Sequence, residues 1–141
     1  MTNTAKMLTL MARREAMYVQ QKAARVRKLT HAQAAAEDMR RRLSELRSDR
    51  SATEGINSVA FLLSQHWYAL QIEENVQLAA RKSEYLEGEL GRAQTDLAQS
   101  GHRKSLYTDR AHSQKLKDHE LKNARQEASQ ISINRCHRSG D

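Results

Sequence analysis

The fold class that the sequence predicts is all-α: a two-helix antiparallel coiled-coil hairpin with a longer second helix. Composition is the first reason, because 29% of the 141 residues are charged, only 38% are hydrophobic and none is proline. A compact domain of this length normally has a broader apolar core and loops rich in proline and glycine. The second reason is that apolar residues recur at heptad spacing in two long runs, separated by one polar stretch.

The first helix is expected over about residues 4–48, where the heptad pattern is uneven. Its apolar residues keep one register up to Val26 and a second register from Leu29 onward. The three-residue steps from Val26 to Leu29 and Ala32 therefore predict a stammer, which locally overwinds a coiled coil. The residues expected at the seam of this helix are Ala12, Ala16, Val19, Ala23, Val26, Leu29, Ala32, Ala36, Met39, Leu43 and Leu46.

A bend is expected at about residues 48–57, the stretch that clusters small polar residues with Gly55. Ser51 and Glu54 have the spacing of a capping box, which marks the start of a helix. A short connection of this kind places the two flanking helices side by side and antiparallel.

The second helix is expected over about residues 57–133, in a single elongated domain of residues 1–141. Its seam is mostly apolar from Leu62 to Leu97 and mostly polar from Ser100 onward. With a bend near residue 53 and an equal rise per residue in both arms, residue 8 lies opposite about residue 98. Residues beyond about 102 are then expected to have no partner within the chain.

Charge divides the chain into three parts. Residues 1–50 carry a net charge of +7, residues 51–102 carry −4, and residues 103–138 carry +5. A basic first helix beside an acidic second segment favours the hairpin. The basic segment after residue 102 is expected to bind an acidic partner.

A second apolar stripe runs along the start of the second helix. It consists of Ile56, Ala60, Leu63, Trp67 and Leu70. At ~100° per residue, this stripe is centred about 150° away from the seam, so one partner helix cannot cover both faces. Tyr68 adds a further aromatic ring in the same region. Two interpretations account equally well for the stripe: it is a docking site for another protein, or it is covered by a second copy of this chain or by a splayed tip of the first helix.

Enzyme activity is the function for which the sequence gives the least support. It has no P-loop, no GxGxxG, no paired carboxylates in an apolar setting and no nucleophile motif. A two-helix hairpin also has no deep pocket in which to bind a small-molecule substrate. His112 and His119 are seven residues apart and share a helix face, but no third metal ligand is implied. We therefore expect no enzyme activity, no cofactor and no metal.

Cellular location follows from Cys136 and from the N-terminal sequence. A single cysteine excludes a disulfide within the chain and indicates a reducing compartment. The apolar patch at residues 7–11 is too short for a signal sequence or a membrane span. A cytoplasmic protein without membrane insertion is expected.

Arg40, Arg41 and Arg42 form a basic cluster that could bind the phosphates of a nucleic acid. These arginines lie inside the paired part of the first helix, among the acidic residues Glu37, Asp38 and Glu45. The chain also has few aromatic residues on which bases could stack. A solvated helix face is the favoured interpretation, and nucleic-acid binding is the less favoured one.

Gly55-Ile56-Asn57-Ser58, followed by an aromatic residue at Trp67, is similar to the turn and downstream aromatic of flagellar members of one family. Over nearly its whole length the chain resembles the FliJ/YscO stalk proteins of flagellar and injectisome type III export. The resemblance implies a central stalk that links a hexameric export ATPase to the membrane-embedded export gate, peripheral to the membrane, with export chaperones as further partners. It does not separate flagellum from injectisome.

The resemblance also implies two sets of binding residues. Trp67, together with Leu63, Tyr68 and Leu70 of the same region, is a candidate for contact with the export gate. The candidates for contact with the ATPase ring, by charge and position, are Arg13, Arg14, Lys104, Arg110, Lys115 and Lys117. A general coiled-coil scaffold or a chaperone-escort protein is the alternative function.

Overall fold

The structure, a computed structural model, describes residues 2–51 and 59–139. It contains helix α1, Asn3–Ser51, and helix α2, Val59–Arg138. Every described residue except Thr2 and Ser139 belongs to one of the two helices. The prediction of an all-α chain with a longer second helix is confirmed.

Both helices continue past their expected C-terminal ends, to Ser51 and Arg138 instead of about 48 and 133. Neither extension contains glycine or proline, so no residue there interrupts the helical hydrogen bonds. Residues 52–57 of the expected bend lie outside the described residues. The same is true of Glu54 in the expected capping box and of the Gly55–Ser58 turn.

The described chain divides into two compact units, each with a segment of both helices. Unit 2 is Lys22–Leu97, and unit 1 combines the residues up to Gln21 with those from Ala98 onward. In unit 2, Arg47 Nη1 lies 3.2 Å from Glu73 Oε2, and Arg25 Nη2 lies 3.5 Å from Glu89 Oε2. Because lower numbers in α1 pair with higher numbers in α2, the two helices of this unit are antiparallel.

The seam of unit 2 has small residues at its centre: Ala36, Ser83 and Ala93 are buried. The Ser83 hydroxyl donates a hydrogen bond across the seam to the Glu37 carboxylate. Met39 was expected at the seam but is more than half exposed, as is Leu46. That expectation was wrong because a seam between only two helices buries just the side chains that point directly at the partner helix. Long side chains on the flanks of the seam remain exposed to solvent.

The expected stammer in α1 is also wrong. Burial recurs without interruption at spacings of three and four residues, through positions 5, 8, 12, 15, 19, 22, 26, 29, 33 and 36. This register includes Glu15, Lys22 and Gln33, polar residues that a search for apolar positions passes over. The heptad is therefore continuous, with polar side chains at three of its seam positions.

Unit 1 is paired much further along α2 than expected. The backbone N–H and the hydroxyl of Thr2 both donate hydrogen bonds to Asp118 Oδ2, at 3.1 Å and 2.8 Å. Residues 2 and 118 are equidistant from residue 60, not from residue 53. Residues between about 102 and 118 therefore have a partner within the chain, and the expectation that they lack one was wrong. The cause is a register offset along α2 of about 14 residues, or about four helical turns, towards the C-terminus.

Candidate functional site

The first part of α2 extends beyond the end of α1. In unit 2 the Arg47–Glu73 pair is also equidistant from residue 60, so Ser51 is level with about residue 69. Residues 59–68 of α2 consequently lie beyond the level of Ser51, although the long side chain of Arg47 still lines a cleft with Leu62 and His66. This stretch, continued to Ile72, contains no Lys, Arg, Asp or Glu, although 29% of the whole chain is charged.

Four side chains here form what we call the aromatic patch: Leu63, Trp67, Tyr68 and Leu70. These are the four residues predicted as candidates for contact with an export gate. They lie within about two turns of α2, and each is more than half exposed. The Trp67 and Tyr68 ring centroids are 5.8 Å apart at 78°, an edge-to-face arrangement. Because an uncharged, exposed aromatic surface is unusual on so charged a chain, the patch is a candidate protein-binding surface.

Leu62 was expected at the seam, but it is also more than half exposed. The reason is again the register offset, which leaves Leu62 past the end of α1. It borders a shallow cleft of ≈ 400 Å³ with Ala69 and Ile72. Both apolar stripes at the start of α2 are therefore accessible.

The second set of candidates is basic, and the structure places all six in unit 1: Arg13, Arg14, Lys104, Arg110, Lys115 and Lys117. All six are exposed. Arg14 lies 3.9 Å from the Glu15 carboxylate, and its guanidinium carbon is 5.8 Å from the centre of the Tyr18 ring. The other five form no salt bridge with any described residue. Their charge remains available to an acidic partner.

Beyond Asp118, α2 has no described α1 residue beside it. Every residue from 119 to 139 is exposed. This terminal arm is shorter than the sequence predicted, since it begins at about residue 119 and not at about 103. At ~1.5 Å per residue, the helical residues 119–138 measure about 30 Å.

Glu15 is a residue that sequence reasoning missed. Its side chain is 4% exposed, and Oε2 has no hydrogen-bond partner among the described residues. Ser100, in the same unit, is completely buried. The signal in the sequence was the spacing of Glu15 from Ala12 and Val19, three residues after one and four before the other. That spacing places Glu15 at a seam position despite its charge.

The arginine cluster at residues 40–42 is partly neutralised. Arg40 Nη1 lies 3.5 Å from Glu37 Oε1, and Arg41 Nη2 lies 3.2 Å from Asp38 Oδ1. A nucleic acid would have to compete with these carboxylates for two of the three arginines. The cluster is therefore a weak candidate for phosphate binding.

Asp118 has a carboxyl pKa that its contacts with Thr2 shift. The backbone N–H of Thr2, then the Thr2 hydroxyl, hold the pKa of the Asp118 carboxyl below its ordinary value.

Among residues 2–51 and 59–139, no three His, Cys, Asp or Glu side chains are placed to hold a metal ion. Neither helix has, in its described part, a stretch apolar and long enough to cross a membrane.

Comparison of the chain with models of protein families, with curated proteins and with solved structures found no match.

Proposed function

We propose that this protein is a non-enzymatic stalk subunit of a flagellar or injectisome type III export apparatus, coupling a hexameric export ATPase to the export gate. The observation that supports the proposal most is that each of the two units carries a surface of a different kind. Unit 1 has exposed basic side chains, five of which form no salt bridge with a described residue, and unit 2 has the uncharged aromatic patch. A coupling subunit needs two such surfaces, because each must recognise a different partner.

The basic residues of unit 1 suit the ATPase. Lys104, Arg110, Lys115 and Lys117 lie along one stretch of α2 and are exposed. Long-range attraction between this stretch and an acidic surface raises the rate of association and is reduced by salt. Binding that also depends on a continuous helix distinguishes insertion into a ring from simple attraction between charges.

The aromatic patch suits the export gate. Trp67 and Tyr68 are large, exposed and close together, which is the composition of residues that contribute most to protein–protein binding. The export chaperones are partners of the same kind, since they too would bind by apolar contact. A cytoplasmic location, peripheral to the membrane, belongs to the same proposal.

The test measures the ATP hydrolysis rate of the purified export ATPase encoded in the same genome, with and without this protein. We expect the wild type to raise the rate, and we expect the fourfold variant Lys104→Glu, Arg110→Glu, Lys115→Glu, Lys117→Glu to abolish the effect. Ser113→Pro should abolish it as well, because proline breaks an exposed turn of α2 without removing a charge.

Two controls match these variants. The first reverses four exposed basic residues of unit 2, Arg27, Lys28, Arg42 and Arg81, which gives the same change in net charge and should leave stimulation intact. The second is Ser139→Pro, which introduces proline at a residue after the end of α2 and should leave stimulation intact. If the wild type fails to stimulate the ATPase, or if it binds duplex DNA tightly at physiological salt, the stalk proposal is wrong.

The alternative, a general coiled-coil scaffold, makes a different prediction in the same experiment. A scaffold has no effect on an ATPase, and Ser113→Pro is then without consequence for hydrolysis. The outcome with the wild type protein decides between the two.

A further inference from the structure

An apolar groove runs along one side of unit 2, between α1 and α2. It has a volume of ≈ 540 Å³ and is lined by Ala32, Ala35, Ala36 and Met39 of α1 and by Leu78 and Leu86 of α2. Leu78 is 53% exposed, and Met39 is exposed to a similar extent. The groove is separate from the aromatic patch and from the basic residues of unit 1.

Large apolar side chains continue the groove on both helices. Leu46 lies seven residues after Met39, and Tyr85 lies seven residues after Leu78, so each shares a helix face with its neighbour. All four are more than half exposed. A two-helix unit with alanine at its seam buries little of its own apolar surface, and four-helix bundles complete the burial by adding a second pair of helices.

The charges of unit 2 point to a second copy of this chain as the occupant. Within Lys22–Leu97, the α1 segment 22–51 has nine basic and four acidic residues, a net charge of +5. The α2 segment 59–97 has three basic and six acidic residues, a net charge of −3. A partner of one charge sign is attracted by one helix and repelled by the other, whereas a second hairpin offers a helix of each sign.

Two-fold symmetry allows two ways to place two hairpins face to face, and the charges favour one of them. A two-fold axis across the helices puts α1 on α1 and α2 on α2, which opposes like charges. An axis along the helices puts α1 on α2 of the partner subunit, so every neighbouring pair is antiparallel and oppositely charged. The second arrangement is therefore favoured.

Side-chain size agrees with this arrangement. The pairing within unit 2 places Ala35 level with about residue 85 of α2. In the favoured dimer, the small Ala32 and Ala35 consequently face the level of Tyr85 in the partner subunit, and Met39 faces the level of about residue 81, within one turn of Leu78. Small residues opposite large ones allow the two faces to interdigitate.

The contact would bury large apolar side chains from both chains. Met39, Leu46, Leu78 and Tyr85 are each more than half exposed, so a dimer removes eight such side chains from water. We infer that this groove is the interface of a homodimer. Two hairpins lie face to face with their α1 helices parallel, and together they form a four-helix bundle. The inference is independent of the stalk proposal.

The test is analytical ultracentrifugation of the full chain over a range of concentrations. We expect a concentration-dependent species of twice the chain mass, and we expect Leu78→Asp to raise the dimer dissociation constant at least tenfold. The matched control is Leu116→Asp in unit 1, because Leu116 is 54% exposed and Leu78 is 53% exposed. That control should change the constant less than twofold. Ala35→Glu, at another exposed groove position, repeats the test if Leu78→Asp loses helical circular dichroism.

Cysteine cross-linking tests the arrangement. In a background carrying Cys136→Ser, a mixture of A35C chains and K82C chains should form disulfide-linked pairs between the two kinds of chain. A chain that stays monomeric at all concentrations overturns the inference, as does an equal effect of Leu78→Asp and Leu116→Asp. Dimers in which A35C and K82C chains fail to cross-link overturn the parallel arrangement.

Discussion

Replacing Glu15 with leucine should make the protein more stable, although a charge and a salt bridge are lost. Glu15 is buried in unit 1, and its Oε2 has no hydrogen-bond partner among the described residues. Leaving a buried polar atom unsatisfied costs ~1–3 kcal/mol. A leucine of similar size removes this cost and adds apolar contact at a seam position.

The opposing contribution is small. Glu15 Oε1 is 3.9 Å from Arg14 Nη2, and the Arg14 side chain is 61% exposed. Pairs exposed to this degree contribute ~0–1 kcal/mol because solvent screens them. We therefore expect Glu15→Leu to raise the free energy of unfolding by about 1–2 kcal/mol.

Urea unfolding followed by circular dichroism measures the change, with two reference variants. Glu120→Leu removes an exposed glutamate from the same unit and should change the free energy of unfolding by less than ~0.5 kcal/mol. Glu15→Gln keeps a polar group at the buried position and should gain little. A Glu15→Leu variant less stable than the wild type would refute the argument, since it would mean that the carboxylate stabilises the seam.

Three further predictions concern other parts of the chain. Asp118→Asn should lower the melting temperature above pH 5 and have no effect well below pH 3. The pKa of Asp118 is lowered in the folded protein, so the ionised carboxylate contributes its full stabilisation above the ordinary pKa of 3.8. That stabilisation is lost as the pH falls through the pKa of the folded state. Equal effects at all pH values would contradict this. Trp67→Ala should leave stability nearly unchanged but weaken binding at the aromatic patch by ~2 kcal/mol or more, measured by calorimetry with the partner; loss of the folded state instead would place Trp67 in a core. Amide hydrogen exchange should be fast at residues 119–138 and slow at residues 86–97, and equal protection would mean that another molecule covers the terminal arm.

The helices and their order could be predicted from the sequence, because composition and heptad spacing report directly on helix formation. The register could not. It depends on which residues of two long, similar repeats lie opposite each other, and a shift of about four turns changes only weak contacts made by small side chains such as Ala36 and Ala93. The Thr2–Asp118 hydrogen bonds define the register at one end, yet neither residue stands out in the sequence.

The candidate binding residues were predictable to different degrees. The aromatic patch was found because Trp67 and Tyr68 are rare residues at helical spacing in a polar chain. The extent of its exposure could not be predicted, since it follows from the register. Glu15 was missed because hydrophobicity was the criterion for seam positions, and the groove was missed because it needs both helices to form.

The hydrogen bonds of Thr2 to Asp118 have a consequence for the order of folding. Their partners are separated by 116 residues in sequence, compared with 26 residues for Arg47 and Glu73. Closing the longer loop directly costs about 1.3 kcal/mol more in chain entropy. A ribosome must also release the chain as far as Asp118 before that residue can meet Thr2. Thr2 is therefore expected to acquire its native contacts late, after the nearer pairs of unit 2 have formed, although it is synthesised before them.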